Sequence, residues 1–248
     1  EGLSRLEIER LQLDRLRKTL RQAAKSPFYA QRFKACGVDP EAVTSLDDVR
    51  RLPFTTKQDL RDSYPDKLLA LPHSEMVRMH VSSGTTGTPT VIYHTKNDLD
   101  WWASLMARCM HMVGLRKEDV FQNMSGYGLF TGGLGIHCGA EKLGCLTIPA
   151  GAGNSHRQIK LLTDFKVTGI HIIPSYALYL STVFAEMGVD PRTLPLRIAL
   201  VGAEPYTEET RRRLEDLYDM KCYNSYGLSE MNGPGVAFEC REQHGMHV

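Results

Sequence analysis

Leu196-Arg197-Ile198-Ala199-Leu200-Val201-Gly202-Ala203-Glu204-Pro205 joins a short apolar run to a turn. The run reads as a β-strand, and Gly-Ala-Glu-Pro ends it. In an α/β sheet a ligand often sits beyond the carboxyl end of such a strand. Working outward, strand-like runs recur at 76–81, 90–94, 119–123, 145–149, 169–173 and 221–223. Helical patterns at 96–113, 132–143, 154–165, 175–186 and 207–218 separate them. This alternation predicts an α/β core over 76–248, with mostly parallel sheets flanked by helices. Upstream, Leu6, Ile8, Leu11, Leu13, Leu16 and Leu20 recur at helical spacing, so 4–35 reads as helix, interrupted at Pro27-Phe28. Shorter helical pieces are expected at 47–50 and 55–60, the second capped by Thr55 or Thr56. Residues 1–75 thus read as a helical N-terminal segment packed on the main domain.

The bulk numbers exclude several classes. The chain has 248 residues, 42% hydrophobic and 24% charged, ordinary for a soluble protein of one large or two small domains. Its formal net charge of +1 gives no global field toward nucleic acid or an anionic membrane, so neither is expected as a partner. The longest basic cluster, Arg211-Arg212-Arg213, reads as a solvated helix face. No apolar run approaches the roughly 20 residues that span a bilayer. Glu1-Gly2-Leu3-Ser4-Arg5 is not a signal peptide, and the missing initiator Met points to a trimmed chain. Six dispersed cysteines without a CxxC pair suggest free thiols in a reducing compartment, with cytoplasm the expected location.

Three further segments carry chemistry. Ser82 to Gly87 packs four hydroxyl side chains and two glycines between two strands. Such a loop can bend sharply and aim backbone N–H groups and hydroxyls at a polyphosphate. It lacks the Gly-Lys-Ser/Thr ending of a Walker loop, and the same composition also makes plain surface loops. Asn224-Ser225-Tyr226-Gly227-Leu228-Ser229-Glu230 offers a ring for stacking, hydroxyl donors and a hard oxygen for Mg²⁺; read otherwise, it is a strand-to-helix turn capped by Ser229. Gly126 to Gly135 holds five glycines in ten residues, which suits close approach to a ligand or close helix packing. Tyr127 and Phe130 in that segment could wall an aryl-acid pocket.

In this order, the Ser-Ser-Gly-Thr-Thr-Gly loop, Tyr127-Gly128-Leu129-Phe130-Thr131-Gly132-Gly133, Gly202-Ala203-Glu204-Pro205 and Tyr226-Gly227-Leu228-Ser229-Glu230 resemble the adenylate-forming superfamily. More closely, the chain resembles phenylacetate–CoA ligases, with support from Leu52-Pro53-Phe54-Thr55-Thr56-Lys57, Gly139-Ala140-Glu141-Lys142-Leu143-Gly144 and Met231-Asn232-Gly233-Pro234-Gly235-Val236. The likeness covers nearly the whole chain. It implies an AMP-forming ligase that activates an aryl acid, phenylacetate first, with ATP and Mg²⁺ and passes the acyl group to coenzyme A. By the same resemblance, Ser82, Ser83, Gly84, Thr85, Thr86, Gly87 and Thr88 hold phosphates. Gly202, Ala203, Glu204 and Pro205 line adenine, and Asn224, Ser225, Tyr226 and Gly227 complete the nucleotide site. Thr85 and Glu230 are the catalytic positions, Glu230 also binding Mg²⁺, while Tyr127, Phe130 and Gly133 stand near the acid. The expected partners are small molecules and a second copy in a homodimer.

Two departures matter. The family usually has Lys where this chain has Thr88, which removes a charge from the phosphate grip. Val248 precedes the family's ribose-binding aspartate, hinge and small mobile domain, so the chain reads as the N-terminal portion of a longer ligase, weakly active alone. Two alternatives stay open: adenylyl transfer to a deazaflavin coenzyme, and a non-catalytic nucleotide-binding fragment. Cys240, His244 and His247 lie within eight residues and offer a zinc site, through Cys240 and His247 with help from His137 and Cys138; otherwise they are a free thiol and loop histidines. His171 reads as a core histidine.

Overall fold

The computed structural model describes residues 2–82 and 89–248, and the chain divides into two units, one ending at Thr95 and one running from Lys96 to Val248. In the first unit, α1 (Arg5–Ala23) starts at Ser4, whose hydroxyl accepts the Glu7 N–H while the Glu7 carboxylate accepts the Ser4 N–H. This capping box satisfies two backbone donors that a helix start leaves free. Pro27 stands in the first turn of a second helix, α2 (Pro27–Cys36), where its missing N–H costs nothing. Leu20, Phe33 and Val43 form a small core under these helices. The expected piece at 47–50 is a 3-10 helix over Leu46–Arg51, and Thr56 rather than Thr55 caps α3 (Lys57–Asp62).

Strands β1 (Met76–Val81) and β2 (Val91–Thr95) form an antiparallel pair in this first unit. Val81 faces Val91, and beyond them the Ser82 N–H donates to the Thr90 carbonyl at 2.9 Å. The unit boundary therefore falls after this hairpin, whereas composition placed the change at 75/76.

The second unit is built on one seven-stranded sheet. Its strands are β3 (Val120–Asn123), β4 (Leu146–Ile148), β5 (Gly169–Ile172), β6 (Ile198–Gly202), β7 (Lys221–Leu228), β8 (Gly233–Glu239) and β9 (Met246–His247). They lie in the order β4-β3-β5-β6-β7-β8-β9. The five strands from β4 to β7 in that order pair in parallel, and β8 and β9 close the edge antiparallel. The α/β class and mostly parallel pairing agree with the sequence.

Central strand β6 shows why. All five of its residues are buried, as a strand covered on both faces requires. Successive side chains point to opposite faces. Ala199 and Val201 join a core with Ile159 and Leu162 of α6 (Ser155–Asp164), Leu180 and Phe184 of α7 (Pro174–Glu186), and Leu214 and Tyr218 of α8 (Glu208–Tyr218). Ile198 and Leu200 join the other core, with Trp102, Met106 and Met110 of α4 (Lys96–Val113) and Ile136 and Ala140 of α5 (Thr131–Leu143). Burying one such aliphatic or aromatic side chain contributes about 1.5–3 kcal/mol.

Helix α5 forms despite its glycines because they admit its neighbour. A Cβ on Gly135 would stand 2.3 Å from the Trp102 ring, and one on Gly139 would stand 2.4 Å from Met106 Cβ. These glycines thus serve helix packing, against α4 rather than against the sheet.

Residues 224–228, open to reading as a strand-to-helix turn, continue β7, and a 3-10 turn at Ser229–Met231 leads into β8, which periodicity missed. Arg211 is buried, while only Arg212 and Arg213 lie on the solvated face. Among the described residues, no helix is long and apolar enough to cross a membrane.

Candidate functional site

The carboxyl ends of β3, β5, β6 and β7 lie side by side along one edge of the sheet. Asn123 pairs with His171, Ile172 with Val201, and Gly202 with Ser225. At about 4.8 Å per strand, β3 and β7 stand roughly 14 Å apart across the sheet. The sheet thus brings together the two motifs assigned to the nucleotide and sets the aromatic-glycine segment beside them.

At the β6 end, Gly202 is required by packing. A Cβ there would lie 2.5 Å from the Ser225 carbonyl oxygen and 2.6 Å from its hydroxyl. Ala203 then turns the chain with φ +69°, a region costly for any residue but glycine. Ala203 and Pro205 are exposed beyond the strand. Glu204 turns to α7 instead: its carboxylate accepts the Ser175 hydroxyl at 2.8 Å and the Ser175 N–H at 3.2 Å. A carboxylate at a helix N-terminus satisfies a free donor and the helix dipole. Glu204 therefore shapes the turn.

At the β7 end, Ser225 is buried, Asn224 and Gly227 flank it, and the Tyr226 ring is 51% exposed. Beneath this strand Arg211 and Glu239 form a buried bidentate pair, both contacts 2.6 Å. Glu239 also accepts the Asn224 N–H, and Arg211 donates to the Cys222 carbonyl. Glu239 holds Arg211 protonated, well above the usual guanidinium range. The pair ties α8, β7 and β8 together at the level of the nucleotide motif. The spacing of Arg211, Leu214 and Tyr218 on one helix face was the overlooked signal.

Glu230 lies half-buried on the 229–231 turn. Among the described residues, no donor is bonded to its carboxylate. A carboxylate is a hard oxygen ligand of the kind Mg²⁺ takes.

The aromatic-glycine segment splits into parts. Phe130 sits at the start of α5, 53% exposed. Gly133 is buried, and a Cβ there would meet the Gly126 carbonyl at 2.2 Å. Tyr127 is half-buried with its hydroxyl engaged: it takes an N–H from Asn123 Nδ2 at 3.0 Å and lies 3.2 Å from His137 Nδ1. Burial pushes this hydroxyl up to about 12, so it stays protonated. Behind it, His171 Nδ1 stands 2.5 Å from Ser125 Oγ and 3.2 Å from Asn123 Oδ1. Burial drives His171 down to about 4, which keeps it neutral, as expected of a core histidine. Asn123 and Ser125 were not legible as site residues, because no motif includes them, and His137 was read only as a helper ligand for zinc, not as the partner of Tyr127.

Ser82 lies at the hairpin base, where its hydroxyl accepts the Thr90 N–H at 2.9 Å. Ser83, Gly84, Thr85, Thr86, Gly87 and Thr88 lie outside the described residues, and with them the catalytic assignment of Thr85. The zinc expectation gains no support. Cys240 follows β8 and His247 lies in β9, and no group of three or more His, Cys, Asp or Glu among the described residues could hold a metal.

A family model described as AMP-binding enzyme matches residues 11–246. A phenylacetate-coenzyme A ligase of Pseudomonas putida is 48% identical over 232 residues, covering 93% of this chain and 53% of that protein. One from Escherichia coli K12 is 44% identical over 238 residues, covering 95% and 54%. Among solved structures, a 2-hydroxyisobutyryl-CoA ligase in complex with 2-HIB-AMP and CoA in the thioesterification state is similar at 30% identity and TM-score 0.94. That match covers 99% of this chain and 54% of the other. The chain spans about half the length of the curated relatives it matches. The match to the family model extends over nearly every element described above, and the chain belongs to the AMP-binding enzyme family.

Proposed function

We propose that this chain forms the nucleotide- and acid-binding portion of an AMP-forming ligase that activates an aryl carboxylic acid, phenylacetate first, for transfer to coenzyme A. The observation that supports this reading is the pairing of Gly202 with Ser225, which brings the start of the 202–205 turn beside the strand that carries the exposed Tyr226 ring, four residues before Glu230. The choice of acid and acceptor rests on relatives named phenylacetate-coenzyme A ligase at 44–48% identity. Neither a deazaflavin acceptor nor a non-catalytic role gains support from these relatives.

In the reaction, a carboxylate oxygen of the acid bonds to the α-phosphorus of ATP while the bond to the bridging oxygen breaks and pyrophosphate leaves. The sulfur of coenzyme A then bonds to the acyl carbon, AMP leaves with the electron pair of the acyl C–O bond, and the thiol proton passes to solvent. Neither step needs a protein nucleophile; positioning and charge neutralisation supply the acceleration. Tyr226 stacks on adenine against the 202–205 turn. Glu230 holds Mg²⁺, which when bound neutralises phosphate charge. Tyr127, Phe130 and Gly133 shape the acid site. The outer phosphates fall to the Ser82–Thr88 segment by resemblance alone, and Thr88 stands where the family has a charged Lys.

The test is pyrophosphate release and hydroxylamine trapping by the full-length gene product across a panel of aryl acids. Phenylacetate-dependent release is the expected result. A panel with no acid-dependent release sinks the proposal.

A further inference from the structure

The half-buried Tyr127 hydroxyl is held from two sides. Asn123 divides its amide N–H groups, one to Tyr127 at 3.0 Å and one to the Gly133 carbonyl at 2.8 Å. Its own carbonyl accepts the Ser125 N–H at 3.2 Å, so the amide cannot rotate without losing all three bonds. On the other side, His137 Nδ1 lies 3.2 Å from the Tyr127 oxygen. His137 Nε2 stands 3.1 Å from a Glu141 carboxylate oxygen, one turn along α5. A carboxylate only accepts, so that contact favours the tautomer with its proton on Nε2. Nδ1 then presents a lone pair, and the Tyr127 O–H donates to it. The two rings meet edge-on, 83° apart with centroids at 5.6 Å. Contact of Gly133 with the Gly126 carbonyl closes the start of α5 onto the loop that carries Tyr127.

The Tyr127 oxygen has one proton, and that proton is committed to His137. Its ring keeps an accessible part, while its polar atom is spent inside the protein. We propose that His137 is a specificity-determining positioning residue: by accepting the Tyr127 O–H hydrogen bond, it makes Tyr127 an apolar wall with no spare donor toward the bound acid. This rests on the reading of Tyr127 as part of the acid site. The physical logic is asymmetric. A site with an unpaired donor penalises an apolar ring and favours one that offers an acceptor, whereas a site with its donor satisfied does not. The structure therefore fits an acid whose ring is a plain hydrocarbon.

The experiment compares kcat/KM for phenylacetate and for pyridylacetate, whose ring nitrogen accepts a hydrogen bond, in the full-length gene product. The ratio of the two does not depend on the folded fraction. In His137→Phe the Tyr127 O–H loses its acceptor, and the phenylacetate preference falls about tenfold, the size of one buried hydrogen bond. The change appears in the KM of the acids, with the KM of ATP unmoved. His137→Gln, which keeps an acceptor, holds the ratio near that of the unsubstituted protein. Tyr127→Phe removes the proton itself, so adding His137→Phe to it leaves the ratio where Tyr127→Phe put it. An unchanged ratio in His137→Phe, an equal fall in His137→Gln, or the same fall in the Tyr127→Phe background overturns the inference. Tyr127→Ala separates the two layers. If it leaves the acid KM unchanged, the ring does not face the acid, and the acid-site reading falls together with the inference.

Discussion

Glu239→Gln replaces one buried oxygen by an amide nitrogen at nearly constant volume. Glu239 receives three bonds of 2.6 Å, from both terminal nitrogens of Arg211 and from the Asn224 N–H. The side chains of Arg211 and Glu239 are 5% and 6% exposed, so solvent screens them little. Whichever way the Gln amide turns, its NH2 meets an Arg211 nitrogen, donor against donor. The Arg211 charge loses its buried counter-ion and keeps the Cys222 carbonyl at 2.8 Å, the exposed Glu208 carboxylate at 3.1 Å and the face of the Tyr206 ring at 5.7 Å. Removing one partner of a buried pair costs about 3–5 kcal/mol. For a unit of this size each kcal/mol lowers Tm by about 2–4 °C, so Glu239→Gln lowers it by about 6–20 °C. Thermal unfolding followed by circular dichroism reads this directly. The paired change Arg211→Met with Glu239→Leu costs less than the two single changes summed, because no lone charge remains. Its residual cost is that of the orphaned Asn224 N–H, about 1–3 kcal/mol, since the Cys222 carbonyl keeps the Gln243 amide N–H at 2.9 Å. A Tm drop below about 2 °C in Glu239→Gln refutes the account of a desolvated, mutually dependent pair.

Gly135→Ala separates propensity from packing: propensity alone favours Ala by about 1 kcal/mol, but the new Cβ meets the Trp102 ring at 2.3 Å, so urea unfolding shows a net loss of about 1–3 kcal/mol. His171 is about 4 in the folded protein against an ordinary 6.5, so its contribution is complete above pH 6.5, declines as pH falls, and is gone by about pH 4. The total is about 3 kcal/mol, and the difference in urea stability between the unsubstituted protein and His171→Gln should shrink from pH 7 to pH 4. Tyr226→Ala removes the exposed ring and weakens ATP binding by about 1–3 kcal/mol in calorimetry, with unfolding unchanged. Glu204→Ala strips the Ser175 N–H and hydroxyl of their acceptor at the start of α7 and lowers stability by about 0.5–2 kcal/mol.

The periodic parts of the chain were legible before any coordinates. Strand β6 reads as buried because its apolar residues are continuous, and helices α4 to α8 fall within one residue of their expected limits or close to them. Strand β8 was not legible. It is rich in glycine and proline, and its place depends on pairing with β7 and on the Trp102 indole N–H, which donates to the Pro234 carbonyl at 2.9 Å. The glycines of α5 were ambiguous for a similar reason, since only the approach of Trp102 and Met106 shows what the missing side chains make room for.

Local order in the sequence therefore settled most strands and helices, β8 and β9 excepted, and the ordered motifs pointed to nucleotide chemistry. Which polar residues meet was decided only in three dimensions. Arg211 is drawn as one of three basic residues in a row, yet it is buried against a carboxylate from β8. Glu204 sits in a motif assigned to adenine, yet it caps α7. Tyr127 and His137 are ten positions apart in one glycine-rich stretch that says nothing of their pairing, yet they meet in a hydrogen bond. Hydrophobic periodicity is a local property set by backbone geometry, whereas a buried polar group is satisfied by whichever partner the packed sheet and helices carry to it.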